Sequence, residues 1–247
     1  MVSDVRVFAD LQALGAAVAE AAADTLARVA RSAGRCAFVL SGGMTPRTLY
    51  RLLATDYRSR IPWRDVHVFW GDERYVPHHD ARSNYRMAKD ELLDHVPCPP
   101  ANIHAMATDA ADPRDAARTY EATLRGYCAG GPPRFDLVLL GLGEEGHTAS
   151  LFPGSPALAE HTRWVAAVTA PADPPVRLTL TLPAFAHAAT IYFLVAGSNK
   201  ARAVSHVMAT AADSNMYPAA AIRRGAGTVV WWIDQQAAAE YSGAGRA

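Results

Sequence analysis

The hydrophobic residues of this chain alternate between two kinds of spacing. Leu11, Leu14 and Val18 start a run at helical spacing, with Asp10 as its predicted N-cap and Gly34 as its predicted stop. Similar runs predict further helices, and short, continuously apolar runs are typical of buried strands. The further helices are predicted at about 45–53, 83–93, 112–127 and 199–208, with a short one after the last strand. The strands are predicted at 36–40, 66–70, 135–140, 164–168, 178–182, 190–196 and 228–233.

Strands that alternate with helices indicate βαβ units and predict a largely parallel sheet covered by helices on both faces. Helices are scarce between residues 164 and 196, so some antiparallel strands are expected there. No long Pro/Gly/Ser-rich linker and no internal repeat divides the chain. We therefore expect residues 1–247 to form a single α/β domain.

Composition narrows the range of partners and compartments. The 247 residues include 24 Lys and Arg and 24 Asp and Glu, so the formal net charge is zero. The chain therefore lacks the overall positive charge that favours binding to nucleic acid or to an anionic membrane, and we expect neither as a partner. The three cysteines, Cys36, Cys98 and Cys128, are widely spaced and lack a CxxC motif. The sequence also shows no signal peptide and no apolar run long enough to span a bilayer. Together with the cysteine pattern, this predicts a soluble protein of the reducing cytoplasm.

Ligands of open parallel sheets bind beyond the carboxyl ends of the strands, where this chain has three unusual loops. The first has the sequence SGGMTP at 41–46 and leads from a strand into a helix, with Thr45 as predicted N-cap. Paired glycines allow close approach of the backbone, and a helix N-terminus beside hydroxyl groups suits a phosphate. A plain tight turn with an N-cap is the alternative.

The second and third loops carry charge. The segment GDERYVP at 71–77 follows a buried strand, and its Arg74 suits bidentate binding of phosphate or carboxylate, with a solvated turn as the alternative. The segment GLGEEGHTAS at 141–150 surrounds His147 with glycines and two carboxylates. A histidine with a carboxylate two residues away, here Glu145, is typical of a general base at neutral pH. A purely structural histidine is the alternative.

Isolated cations and one histidine pair complete the candidate chemistry. Arg177 follows a proline-rich loop, and Lys200 stands at the start of a predicted helix, where its charge opposes the helix dipole. A bound anion would explain that position of Lys200. The segment His78-His79-Asp80 fits no common zinc spacing, so an exposed polar loop is favoured over a metal site.

Taken together, these segments resemble the 6-phosphogluconolactonase family, in order and along nearly the whole chain. The block containing GHTASLFP, the DER motif and the downstream lysine are the specific parts of the match. The matching segments are SGGMTP (41–46), FWGDERYVP with SNY (69–85), DLVLLGLGEEGHTASLFPGS (136–155), RLTLTLP (177–183), AGSNKA (196–201) and PAAAI (218–222).

The resemblance implies a three-layer α/β/α sandwich around a parallel-rich sheet, as in glucosamine-6-phosphate deaminase and ribose-5-phosphate isomerase. It also implies hydrolysis of 6-phospho-D-glucono-1,5-lactone to 6-phospho-D-gluconate in the oxidative pentose phosphate pathway. The lactone is then the small-molecule partner, and neither a metal nor an organic cofactor is implied. We expect a monomer or a small homo-oligomer.

Carried over by position, the resemblance makes His147 the general base that activates water, assisted by Glu145. The implied substrate- and phosphate-binding residues are Ser41, Gly42, Gly43, Thr45, Asp72, Arg74, Arg177 and Lys200.

Two positions depart from the family pattern, and two other functions stay open. Glu145 stands where the family more often has aspartate, and Ala186 stands where an asparagine is usual. One alternative is an amino-sugar phosphate deaminase or phosphosugar isomerase on the same fold. The continuation SLFPG after His147, in place of an Asn-Glu-Pro segment, favours the lactonase. The other alternative is a non-catalytic sugar-phosphate sensor.

Overall fold

A central sheet of six parallel strands and a smaller antiparallel sheet organise the chain in the computed structural model, which describes residues 4–209, 212–225 and 227–243. The strands are β1 (Asp4–Phe8), β2 (Cys36–Leu40), β3 (Val66–Trp70), β4 (Asp72–Arg74), β5 (Leu137–Leu140), β6 (Val165–Thr169), β7 (Val176–Leu180), β8 (Thr190–Val195) and β9 (Thr228–Asp234). The helices are α1 (Leu11–Ala33), α2 (Thr45–Ala54), α3 (Asn84–Glu91), α4 (Pro113–Tyr127), α5 (Leu182–Phe185), α6 (Ala201–Met208) and α7 (Pro218–Gly225).

The central sheet has the strand order β1-β9-β8-β5-β2-β3, and every described pair in it is parallel. Its inner strands β2 and β5 are buried along their whole length. This explains why both appear in the sequence as continuous apolar runs and not as alternating ones. The predicted α/β class with a parallel-rich sheet is therefore confirmed.

The second sheet has the order β4-β7-β6 and is antiparallel. The antiparallel strands expected between residues 164 and 196 are thus confirmed for β6 and β7, whereas β8 joins the parallel sheet. The predicted strand 178–182 is shifted, since β7 ends at Leu180 and Leu182 begins α5. The charged segment predicted as a loop contains β4, whose three residues pair with β7.

Helix α1 shows how local signals fix the elements around the sheet. Asp10 caps it by accepting a hydrogen bond from the amide of Ala13 at 2.8 Å, and Gly34 ends it at a φ of 69°. Ten of its residues, among them Leu14, Val18 and Leu26, are buried. Both predicted ends of this helix are confirmed.

Two local predictions are wrong, and two elements were not predicted. Helix α2 begins at Thr45 and has Met44 as its N-cap, with no side-chain capping bond. Met44 already has helical backbone angles, so Thr45 lies inside the helix, where a threonine cannot act as the cap. No helix follows β9 within the residues described up to 243, and turns occupy 235–240 instead. Strand β1 and helix α7 have no counterpart among the predicted elements.

The parallel arrangement brings several loops to one edge. The strands β8, β5, β2 and β3 are consecutive neighbours, so the loops at their carboxyl ends lie side by side. These loops contain the segments that the sequence singled out. None of the described helices combines the length and apolar character needed to cross a membrane.

Candidate active site

A cavity of about 420 Å³ opens at the carboxyl edge of the central sheet. The loops after β2, β3, β5 and β8 all contribute to its lining, as does β7 of the second sheet. Of the predicted site residues, all but Glu145 line this carboxyl-edge cavity: Ser41, Gly42, Gly43, Thr45, Asp72, Arg74, His147, Arg177 and Lys200.

The loop after β2 is held in place by a buried tyrosine. The hydroxyl of Tyr50 accepts a hydrogen bond from the amide of Ser41 at 3.0 Å and donates one to the carbonyl of the same residue at 2.8 Å. Gly43 has a φ of 98°, a conformation that favours glycine. At Gly42 a Cβ atom would lie 2.1 Å from Oδ1 of Asn84, so this position has no room for a side chain. The loop thus presents a bare backbone ahead of the N-terminus of α2.

His147 is tightly enclosed by its own loop. Its carbonyl accepts a hydrogen bond from the amide of Gly143 at 2.8 Å, and its ring centroid lies 4.3 Å from that of Phe152. A Cβ atom on Gly143 would lie 1.9 Å from Nδ1 of the imidazole. The absence of a side chain at Gly143 therefore creates the space in which the ring lies.

Electrostatics favour a neutral imidazole at this position. Burial lowers the pKa of His147, and the nearby charges of Glu145 and Asp72 oppose that effect while Lys200 adds to it. Nδ1 lies 3.0 Å from Oε1 of Glu145, although the contact lacks the alignment of a hydrogen bond. A neutral ring beside a carboxylate can accept a proton and is stabilised by that carboxylate once it is charged.

Glu144, the other carboxylate of this loop, makes a different contact from Glu145. Its Oε1 accepts a hydrogen bond from Nδ2 of Asn199 at 2.6 Å. This bond connects the loop that carries His147 to the loop that carries Lys200. Only spatial proximity reveals it, because the two residues are 55 positions apart in the sequence.

Three cations line the cavity: Arg74, Arg177 and Lys200. Among the described ion pairs, none involves Arg74, Arg177 or Lys200. Arg177 is buried, and its burial together with the charge of Arg74 lowers its pKa. Positive groups gathered in this way make the cavity a favourable environment for an anion.

The acidic residues of the DER segment are buried, and hydrogen bonds surround them. Asp72 accepts a hydrogen bond from Oγ of Ser150 at 2.7 Å, and Nδ2 of Asn84 lies 3.4 Å from its Oδ1. Glu73 accepts hydrogen bonds from the backbone amides of Arg74, Asn84 and Tyr85, each at 2.7 Å. These bonds attach the start of α3 to β4. The sequence showed the charged run and the SNY segment but not the contact between them.

Two further positions lie apart from the cavity. Ala186, where the resemblance expects an asparagine, is the C-cap residue of α5 and is absent from the cavity lining. Nε2 of His78 lies 2.8 Å from the carbonyl of Met106, and its ring stacks on Tyr85. Across the described ranges, no group of three or more His, Cys, Asp or Glu side chains is arranged to hold a metal ion.

Comparison with known proteins assigns the chain to a family. The sequence model described as glucosamine-6-phosphate isomerases/6-phosphogluconolactonase matches residues 9–231. A 6-phosphogluconolactonase of Synechocystis is 47% identical over 207 residues, covering 83% of this chain and 84% of that protein. A 6-phosphogluconolactonase of Mycobacterium leprae is 39% identical over 250 residues, covering 98% of this chain and 100% of that protein.

Solved structures agree with these relatives. The 6-phosphogluconolactonase of Trypanosoma brucei superposes with a TM-score of 0.86 at 28% identity, covering 98% of this chain and 99% of that one. A monomeric glucosamine-6-phosphate deaminase shares the fold, with a TM-score of 0.81 at 22% identity over 96% of this chain and 99% of that one. The chain therefore belongs to the glucosamine-6-phosphate isomerase/6-phosphogluconolactonase family.

Proposed function

We propose that this protein hydrolyses 6-phospho-D-glucono-1,5-lactone to 6-phospho-D-gluconate, a step of the oxidative pentose phosphate pathway. The proposal rests on one cavity that combines His147, beside Glu145, with three cations that have no carboxylate partner among the described ion pairs. The named relatives with 39% and 47% identity support the same reaction.

His147 acts as the general base in this proposal. The neutral imidazole takes a proton from a water molecule as the water oxygen bonds to C1 of the lactone. The carbonyl oxygen becomes an oxyanion in the tetrahedral intermediate. When that intermediate collapses, the bond between C1 and the ring oxygen breaks, and the imidazolium returns its proton to the ring oxygen. Glu145 stabilises the imidazolium between these two steps, since its carboxylate lies 3.0 Å from Nδ1.

The phosphate group occupies the other part of the cavity. The backbone at Gly42 and Gly43 and the N-terminus of α2 provide amide donors, as at other phosphate-binding helix starts. Arg74 and Arg177 supply two guanidinium groups for the dianion, and Lys200 supplies a third positive charge. Asp72 repels a phosphate, so we assign its carboxylate to holding Ser150 and Asn84 in place.

The free cysteines support a proposal about the compartment. Cys36, Cys98 and Cys128 are all free, and the first two are buried. Free thiols are typical of a reducing compartment, so we propose that the protein acts in the cytoplasm.

The test is the rate of lactone opening with freshly generated substrate, corrected for spontaneous hydrolysis. We expect the wild-type protein to accelerate opening, and His147→Ala to lower kcat by about 10²–10⁴-fold, the usual effect of losing a general base. The exposed residue His187 lies outside the cavity, so His187→Ala is the matched control.

Other outcomes separate the alternatives. Acceleration that survives in His147→Ala rejects the assigned base and keeps the reaction. A folded wild-type protein without lactonase activity rejects the proposal. Release of ammonia from glucosamine 6-phosphate then indicates a deaminase, and ligand binding without turnover indicates a sensor.

A further inference from the structure

Arg74 and Arg177 stand directly opposite each other on adjacent antiparallel strands. They are register partners in the pairing of β4 with β7. Like charges directly across a strand pair repel each other, so this arrangement is unfavourable unless a negative charge lies near both. Before an anion binds, other contacts must therefore keep both guanidinium groups directed at the cavity.

Each arginine is fixed by a backbone carbonyl from a neighbouring loop. Nη1 of Arg74 donates a hydrogen bond to the carbonyl of Arg82 at 2.7 Å. Nε of Arg177 donates one to the carbonyl of Pro174, also at 2.7 Å. The positions of the two guanidinium groups therefore depend on where the loop around residue 82 and the loop around residue 174 lie.

These two loops are joined by one ion pair. Nη1 of Arg82 lies 2.8 Å from Oδ2 of Asp173, which directly precedes Pro174. The same guanidinium also binds Asp80 through Nε and Nη2, at 3.0 and 2.7 Å. These contacts link Arg74 to Arg177 through Arg82 and Asp173. The pairing of β4 with β7 links the same two arginines directly.

We propose that the Arg82–Asp173 ion pair is a positioning clamp that holds Arg74 and Arg177 as an anion-binding pair. Neither residue of the clamp lines the carboxyl-edge cavity, so both act through the loops that they join. The kinetic part of this inference rests on the proposed function, whereas its binding part requires only that the cavity takes phosphate.

The sign of the effect at Asp173 distinguishes a clamp from simple electrostatics. Removing a negative charge close to an anion site strengthens anion binding if only the field matters. Removing one end of a clamp weakens anion binding, because the loop holding Arg177 loses its tether. Asp173→Asn therefore gives opposite results under the two explanations.

The experiment measures the dissociation constant of inorganic phosphate by NMR titration, and KM and kcat for the lactone, in Arg82→Gln, Asp173→Asn and the double variant. We expect each single variant to weaken phosphate binding and raise KM by about 2- to 5-fold, the range for exposed ion pairs, with kcat nearly unchanged. The double variant should bind phosphate no more weakly than the weaker-binding single variant, because either change opens the same clamp. Arg82→Lys keeps the charge but has one nitrogen where Arg82 uses three, so it should retain only part of the phosphate affinity.

Arg114→Gln is the matched control. Arg114 binds Asp112, two residues earlier, through the same set of backbone and side-chain bonds that Arg82 makes with Asp80. Arg114 has no counterpart of Asp173 among the described ion pairs. This variant removes the same charge and should leave phosphate binding unchanged.

Several results would overturn the clamp. They are tighter phosphate binding in Asp173→Asn, additive losses in the double variant, a fall in kcat without a change in KM, and a wild-type protein that binds no phosphate. A protein that shows the clamp effects on phosphate binding but opens no lactone supports the clamp and rejects the proposed function alone.

Discussion

Oε1 of Glu145 lies 3.0 Å from Nδ1 of His147, and of these two residues only His147 lines the cavity. The carboxylate raises the pKa of the imidazole, while burial, the larger effect, lowers it. Glu145 therefore keeps His147 a stronger base than burial alone would make it.

Replacement of Glu145 should change the pH dependence of the reaction. Because burial lowers the pKa of His147, the imidazole stays neutral below its ordinary value of 6.5 and the acid limb of kcat/KM lies below that pH. Glu145→Gln removes an effect that raises this pKa, so the limb should shift further toward acid. The rate at neutral pH should fall by less than the roughly 10²–10⁴-fold expected for loss of the base.

A pH profile of kcat/KM for both proteins checks this prediction. Glu144→Gln is the control, since Glu144 bonds to Asn199 and not to the imidazole. A limb that stays in place in Glu145→Gln would show that this carboxylate does not act on His147.

Lys200 should reveal which part of the substrate it contacts. It lines the cavity without a carboxylate partner among the described ion pairs, and its charge lowers the pKa of His147. The proposed function places Lys200 at the phosphate, so Lys200→Ala should raise KM and change kcat little; a fall in kcat instead would place Lys200 at the oxyanion. Steady-state kinetics measure the two constants separately. Unchanged values of both would remove Lys200 from the site.

Gly143 should be needed for activity more than for folding. A Cβ atom there would lie 1.9 Å from Nδ1 of His147, so Gly143→Ala should displace the ring and lower kcat by more than about tenfold. Gly126→Ala is the control, because beyond its chain neighbours and its own helix backbone no atom lies within 4 Å of the added methyl group. Kinetics and a melting curve of each variant test this. Full activity in Gly143→Ala would contradict the described position of the ring.

A stacked histidine pair should make the protein less stable in acid. Nδ1 of His67 lies 3.1 Å from Nε2 of His104, and burial is the main cause that lowers the pKa of both. The folded protein therefore binds fewer protons than the unfolded chain once the pH falls below about 6.5. The stability present above that pH is lost progressively as the pH falls through the lowered pKa values.

Melting temperatures measured between pH 7.5 and 5 test the histidine pair. His104→Phe keeps the stacking on His67 and Phe69 but removes one of the titrating groups, so its melting temperature should fall less steeply with pH. His187→Phe, at an exposed position, should follow the wild-type slope. Equal slopes in all three proteins would contradict this explanation.

Most of the sheet and most of the site were predictable because their signals are local. Buried parallel strands such as β2 appear as unbroken apolar runs, and glycines around His147 mark a shaped loop at a strand end. Strand β4 was not predictable, because its three residues are charged and only pairing with β7 makes them a strand. Thr45 was predicted as a cap from its side chain, whereas the backbone of Met44 decides where the helix begins.

The contacts between loops could also not be predicted from the sequence. Asn199 and Glu144, and Arg82 and Asp173, are brought together by the order of strands in the two sheets and not by any spacing along the chain. The sequence indicated which groups are candidates for the chemistry, and the fold determines which of them touch.

The three cations that line the cavity belong to a chain whose formal charges sum to zero. At physiological ionic strength an electrostatic field decays over about 8 Å, and no net charge extends its reach here. The cations that line the cavity therefore attract an anion only once it has come close to the cavity mouth. Capture of a phosphorylated ligand in this protein then depends on the local arrangement of charge and not on the charge of the whole chain.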